Sequence, residues 1–105
     1  MRYSLHGKTV LITGGGHGLG QVMALSAADR GATVVIWDTD ADSAAATAEK
    51  ITSRGGAASS MEVDVGDRAA VKHAALACGE VDVLINNAAV ISGRPLLVVS
   101  DEEIE

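Results

Sequence analysis

The chain alternates between two kinds of apolar pattern. Residues 8–13 form a short apolar run before a glycine cluster, as expected for a parallel strand buried on both faces. Over residues 18–30, Leu19, Val22, Met23 and Ala27 recur at helical spacing, and Gly31 stands where a left-handed C-terminal cap belongs. Residues 33–37 are β-branched and apolar, which predicts a second buried strand ending at Asp38. Ala41, Ala44, Ala45, Ala48 and Ile51 make the stripe of a second helix, with Glu49, Lys50 and Arg54 on its other faces and Gly55-Gly56 as its stop. Met61, Val63 and Val65 alternate with Glu62 and Asp64, predicting a third strand over residues 61–65 that runs into a turn at Gly66. Asp67 can cap a third helix with the stripe Ala70, Val71, Ala74, Ala75 and Cys78, ending at Gly79, and residues 81–85 predict a fourth strand. Strand, helix, strand, helix, strand, helix, strand implies an α/β fold: a parallel sheet with right-handed crossovers, order 3-2-1-4, and flanking helices. Neither internal repeats nor low-complexity linkers interrupt it.

Between the first strand and helix lies Thr13-Gly14-Gly15-Gly16-His17-Gly18-Leu19-Gly20, with five glycines in seven positions. An ordinary strand-to-helix turn needs one or two glycines. A cluster of this density exposes backbone N–H groups to a ligand without a Cβ in the way, and the positive end of the helix dipole adds to the attraction for a pyrophosphate. Asp38 follows about twenty residues after the loop, where a carboxylate can accept hydrogen bonds from the adenosine ribose hydroxyls and repel a 2′-phosphate. That predicts NAD over NADP. The bland alternative is that Asp38 or Asp40 only caps the next helix; Asp40 fits the cap better, which leaves Asp38 for the ribose. His17, within the loop, is either an exposed loop residue or a helper that neutralises phosphate.

Length and composition narrow the partners. At 105 residues, one domain is the allowance, and with Tyr3 and Trp37 as the aromatics the core must be built from Ala, Val, Leu and Ile. The formal net charge is −6 without a cluster of Lys or Arg, which argues against nucleic acid or an anionic membrane as the main partner. No apolar stretch approaches a bilayer span and the N-terminus has no signal-peptide core, so a cytoplasmic protein is expected. Cys78 is the single cysteine and reads as a small packing residue, excluding an intrachain disulfide. His6, His17 and His73 are scattered without metal-ligand spacing, and no metal is expected.

The spacing Thr-Gly-x-x-x-Gly-x-Gly near the N-terminus, the acidic end of the second strand, the Asp64-Val65 pair and Asn86-Asn87-Ala88-Ala89 occur in an order that resembles the short-chain dehydrogenase/reductase family. The usual family pattern at the last site is Asn-Asn-Ala-Gly, so Ala89 departs from it. The resemblance implies a Rossmann-type fold that binds NAD or NADP and transfers hydride between alcohols and carbonyls. On it, Gly14, Gly16, His17, Gly18, Leu19, Gly20 and Asp38 are cofactor-binding. Asp64 and Val65 contact the adenine ring, and Asn87 lies near the cofactor ribose. By chemistry alone Asp64 could equally be a loop carboxylate making a local turn, and the paired asparagines could satisfy backbone groups at a strand end. The residues after Asn86 look most like the retinol dehydrogenase and 17β-hydroxysteroid dehydrogenase branch.

Ser100-Asp101-Glu102-Glu103 is a capping box, flanked by Val99 and Ile104 at the staple positions, and announces a helix at the end of the sequence. One turn cannot support itself, so residues 1–105 are expected to be the cofactor-binding half of a larger domain. The family's catalytic Ser and Tyr-x-x-x-Lys would lie downstream, so no catalytic residue is assigned in this chain. Alternatives are a non-catalytic dinucleotide-binding half-fold and a self-assembling structural fragment. An unpaired fourth strand and the uncovered Leu96, Leu97, Val98 and Val99 lead to the expectation of a homo-oligomer. The substrate of a full-length parent would be a small alcohol or ketone.

Overall fold

The computed structural model describes residues 4–88. Seven elements alternate: β1 (Thr9–Thr13), α1 (Gly18–Asp29), β2 (Thr33–Asp38), α2 (Ala41–Ser53), β3 (Ala57–Glu62), α3 (Arg68–Cys78) and β4 (Val83–Asn86). The strands pair in parallel in the order β3-β2-β1-β4, a Rossmann-type sheet with the predicted topology. Register places Thr13 opposite both Trp37 and Asn86, so the ends of β1, β2 and β4 lie together.

Side chains alternate across a strand, and the two faces of this sheet carry separate cores. Val10, Ile12, Val34 and Ile36 pack with Ala24, Ala27, Ala44, Ala48 and Ile51 of α1 and α2. Alanines at these contacts let the helices lie close to the sheet. Leu11, Val35 and Trp37 point the other way, toward Val63 and Ala74. Among the described residues this second face is half covered. Leu84 of β4 is 60% exposed, and a groove of about 590 Å³ runs past Leu11, Trp37, Val71 and Leu84.

The helices start as their sequences predict. Asp40 caps α2 by accepting the Ser43 N–H at 3.1 Å, and Asp67 caps α3 by accepting the Ala70 N–H at 3.1 Å. At the end of α1, Gly31 takes a φ of 96° and Ala32 donates to the Ala27 carbonyl, closing the helix.

Two strands lie elsewhere than the hydrophobic pattern predicts. The third spans Ala57–Glu62, not residues 61–65. It is the sheet edge, its Ala-Ala-Ser-Ser start has no apolar alternation, and the valines that produce that alternation follow it. Val63 leaves the strand and is buried in the Trp37 cluster, so the periodic signal marks a segment packing beneath the sheet. The fourth strand spans Val83–Asn86, not residues 81–85; Val81 packs against the second core before the strand begins. The expected helix at Ser100, the run from Leu96 to Val99 and the departure at Ala89 lie outside the described residues.

Candidate functional site

The glycine loop after β1, Asp38 at the end of β2 and Asn87 after β4 converge at the C-terminal ends of the strands, the end of an open parallel sheet at which ligands bind. Thr13 ties this end together. Its hydroxyl donates to Asn86 Oδ1 at 3.1 Å and accepts the N–H groups of Asn87 and Ala88, each at 3.0 Å. One donor and two acceptor sites are all that a hydroxyl has, and all are used. The sequence reading assigned Thr13 no role; the signal was a polar residue ending an apolar strand. Asn87 Nδ2 donates to the Gly14 carbonyl at 3.2 Å, so this side chain fixes the start of the glycine loop.

The loop is packed where glycine is needed and open where a ligand would approach. A Cβ on Gly20 would lie 2.1 Å from the Gly14 carbonyl oxygen and 2.6 Å from Asn87 Nδ2. On Gly16 it would lie 2.8 Å from Asp38 Oδ2 and 2.9 Å from the Ala44 nitrogen. A Cβ on Gly18 would meet nothing within 4 Å. Leu19 is also exposed. Where α2 and α3 are capped by aspartates, α1 begins at His17 with no side-chain cap and no acidic residue in its first turn. The first N–H groups of a helix have no partner within it, so this terminus presents donors to an anion. A pyrophosphate therefore fits the residues present.

Asp38 is buried at the end of β2, and it is not left free by the cap at Asp40. Its Oδ2 accepts the Gly16 N–H at 2.9 Å and its Oδ1 accepts the Asp40 N–H at 3.0 Å. Two charge-assisted bonds offset much of the cost of burying a carboxylate and hold the glycine loop against β2. A carboxylate has about four acceptor positions, so capacity remains for a ligand hydroxyl. His17 Nδ1 lies 3.3 Å from Asp38 Oδ2, and its Nε2 lies 3.4 Å from Asp40 Oδ2.

Asp40 also accepts the Ser43 hydroxyl at 2.7 Å. That hydroxyl, then the Ser43 amide, holds the Asp40 carboxyl below its ordinary value of 3.8, and the positive charge of His17 acts in the same direction. A lowered value in the folded state means that the cap contributes fully above the ordinary value and is lost as the pH falls through the lowered one. Ser43→Ala is accordingly expected to be less stable than the native chain at neutral pH, with the difference shrinking in acid. Urea unfolding at a series of pH values measures this; a difference that persists unchanged below the carboxylate range would contradict it.

The remaining assigned residues sit on the β3–α3 side. Asp64 Oδ1 accepts the Gly66 N–H at 2.8 Å, closing the local turn that its chemistry allowed. Val65 lines the groove beside Trp37, whose indole Nε1 is buried without a hydrogen-bond partner among the described residues. Burial pushes the Cys78 thiol above its ordinary value, which disfavours the thiolate. Among the described residues no group of three His, Cys, Asp or Glu could hold a metal ion, and no helix is long and apolar enough to cross a membrane.

The sequence model of the family described as short chain dehydrogenase matches residues 8–105. The chain is 36% identical over 107 residues to 17-beta-hydroxysteroid dehydrogenase 13 of Mus musculus, covering 98% of this chain and 35% of that protein. It is 38% identical over 129 residues to retinol dehydrogenase 10-A of Danio rerio, covering 97% of this chain and 38% of that one. The solved RhlG/NADP active-site complex of Pseudomonas aeruginosa superposes with a TM-score of 0.76 at 34% identity, over 83% of this chain and 36% of that chain. The chain spans about a third of the length of the curated relatives it matches.

Proposed function

The chain belongs to the short-chain dehydrogenase family of oxidoreductases, and on that premise we propose that it is the NAD-binding half of a cytoplasmic dehydrogenase acting on a secondary alcohol, retinoid-like or steroid-like. One observation carries the cofactor reading: the single described helix without a capping side chain begins in the loop whose Gly16 and Gly20 admit no Cβ, beside a buried carboxylate. Gly14, Gly16, His17, Gly18, Leu19 and Gly20 hold the pyrophosphate. Asp38 accepts from the adenosine ribose hydroxyls and its charge disfavours a 2′-phosphate. Asp64 and Val65 meet the adenine, and Asn87 lies near the cofactor ribose. When bound, the dinucleotide supplies the hydride donor or acceptor. The chain's own contribution is to bind it, orient it and select it by charge.

Alcohol oxidation also needs an acid–base group, which in this family is the tyrosine of Tyr-x-x-x-Lys. Tyr3 is the single tyrosine of the 105 residues and has no lysine four positions on. The 105-residue polypeptide is therefore expected to bind NAD without reducing it. Absorbance at the NADH band, with a panel of secondary alcohols, checks this, and turnover above background would overturn it. The alternative, a non-catalytic dinucleotide module, is separated by reading the gene beyond Glu105: a downstream Tyr-x-x-x-Lys favours the dehydrogenase.

Among the described residues β4 ends the sheet, and this edge bears on assembly. Val83 and Leu84 lie on β4, 38% and 60% exposed, next to the half-covered groove. Free strand edges and apolar grooves recruit partners, and a second copy of the chain supplies a matching one. Sedimentation of the 105-residue chain should give a mass that rises with concentration, and Leu84→Lys should return it to monomer. A constant monomeric mass for the native chain would contradict this.

A further inference from the structure

Thr47 is a polar residue among packing residues. It shares the buried face of α2 with Ala44, Ala48 and Ile51, and it is fully buried. Its hydroxyl donates to the Ser43 carbonyl one turn back, at 3.2 Å. A hydroxyl has one proton, so toward any other group this oxygen can only accept. Gln21 of α1 meets that demand, its Nε2 donating to Thr47 Oγ1 at 3.3 Å. The pair is a polar link between two helices whose contribution to the shared core is largely alanine.

The position of the link gives it a second meaning. The Gln21 N–H donates to the His17 carbonyl at 3.1 Å, the first bond of α1. The N–H groups of Gly18, Leu19 and Gly20 precede it and have no carbonyl within the helix to bond. α2 holds this open turn at both ends. At one end the loop backbone lies against the first turn of α2, where a Cβ on Gly16 would lie 2.9 Å from the Ser43 carbonyl carbon and 2.9 Å from the Ala44 nitrogen. At the other end Gln21 reaches Thr47, one turn further along α2.

We propose that Gln21 and Thr47 are positioning residues that fix the direction in which the first turn of α1 presents its free N–H groups. The inference rests on the reading of that turn as the pyrophosphate site. The two side chains act through the helix rather than on the nucleotide. Hydrogen bonds from N–H groups weaken steeply with misalignment, so a helix free to rock against α2 loses affinity while keeping its fold. The pyrophosphate is common to ADP-ribose, NAD and NADP, so the loss is shared by all of them. A contact with a 2′-phosphate or a nicotinamide would divide them instead.

Titration calorimetry with ADP-ribose, NAD and NADP, on the native chain, Gln21→Met, Thr47→Val and the double variant, tests this. Methionine keeps the length of the side chain and valine its branching, and each removes one partner of the hydrogen bond. Each single variant is expected to bind every one of these nucleotides about fivefold more weakly, the scale of one neutral hydrogen bond, and the double variant no more weakly than either. Thr47→Ser, which retains the hydroxyl, is expected to bind as the native chain does. A merely structural role would move the urea midpoint and leave the affinities unchanged. The inference is overturned if the single variants keep native affinity, if Thr47→Ser falls as far as Thr47→Val, if the two losses multiply in the double variant, or if the loss is confined to one nucleotide. Absence of binding to the native chain by any of the nucleotides sinks the pyrophosphate reading, and this inference with it.

Discussion

Gly20→Ala is expected to be the most damaging single methyl group in the chain, lowering stability by about 3 kcal/mol or more and abolishing nucleotide binding. The added Cβ would lie 2.1 Å from the Gly14 carbonyl oxygen and 2.9 Å from its carbon, both backbone, so no rotamer change relieves the overlap. It would also push on Asn87 Nδ2, which donates to that same carbonyl. Relief requires α1 to move off the loop and off the end of β4, carrying the uncapped helix N-terminus with it. Gly55→Ala is the contrasting change. A Cβ there meets nothing within 4 Å, and the cost is that of a left-handed backbone at φ 87°, roughly 1–2 kcal/mol. Urea unfolding of the two variants checks the order. A Gly20→Ala chain as stable as Gly55→Ala would mean that the close approach of α1 to the loop is not what holds this site.

Asp38→Ala is expected to do two things that a surface carboxylate would not. The first is structural. Gly16 is buried, and its N–H loses its acceptor; an unsatisfied buried donor costs about 1–3 kcal/mol. The Asp40 N–H, at an exposed position, turns to water at little cost. The second is a change of specificity. NAD should bind about 10- to 100-fold more weakly as the ribose loses a charged acceptor, and the discrimination against NADP should relax. Asp38→Asn separates the two effects. It keeps an acceptor oxygen and the side-chain volume, so it should lose less stability, yet without the charge it too should tolerate the 2′-phosphate. If Asp38→Ala left the NAD-to-NADP ratio unchanged, the carboxylate would be an anchor for the loop alone.

These two expectations rest on features of different visibility in the sequence. The glycine loop, the end of β2 and the aspartate caps of α2 and α3 could be read from it, because each depends on a few neighbouring residues: spacing of glycines, a β-branched run, an aspartate before a helical stripe. β3 could not, because an edge strand half open to solvent needs no apolar alternation, and Ala57, Ala58, Ser59 and Ser60 provide none. The valines at 63 and 65 carried a strand-like pattern for another reason, their packing around Trp37. The anchoring role of Asp38 was hidden because Gly16 and Asp38 are 22 residues apart, and only the parallel register of β1 on β2 brings them together. Thr13 is the same case at longer range. Its hydroxyl is consumed by Asn86, Asn87 and Ala88, which reach it because β4 pairs with β1 across a sequence separation of more than 70 residues. Local chemistry is legible in a sequence; chemistry made by crossover connections becomes legible once the strand order is known.

The roles follow from this construction. Thr13 and Asn87 hold the loop from the β4 side, Asp38 holds it from the β2 side, and Gly16 and Gly20 let the pieces meet. What stays exposed is the helix N-terminus and the Gly18 edge, the part proposed to accept an anion. Titration calorimetry of the 105-residue chain with ADP-ribose, NAD and NADP at neutral pH tests that claim most directly. ADP-ribose and NAD are expected to bind with similar affinity, since the proposed contacts are to the adenosine and pyrophosphate, with NADP weaker. No heat of binding from ADP-ribose or NAD at up to about millimolar concentration would contradict the assignment of this loop as a dinucleotide site.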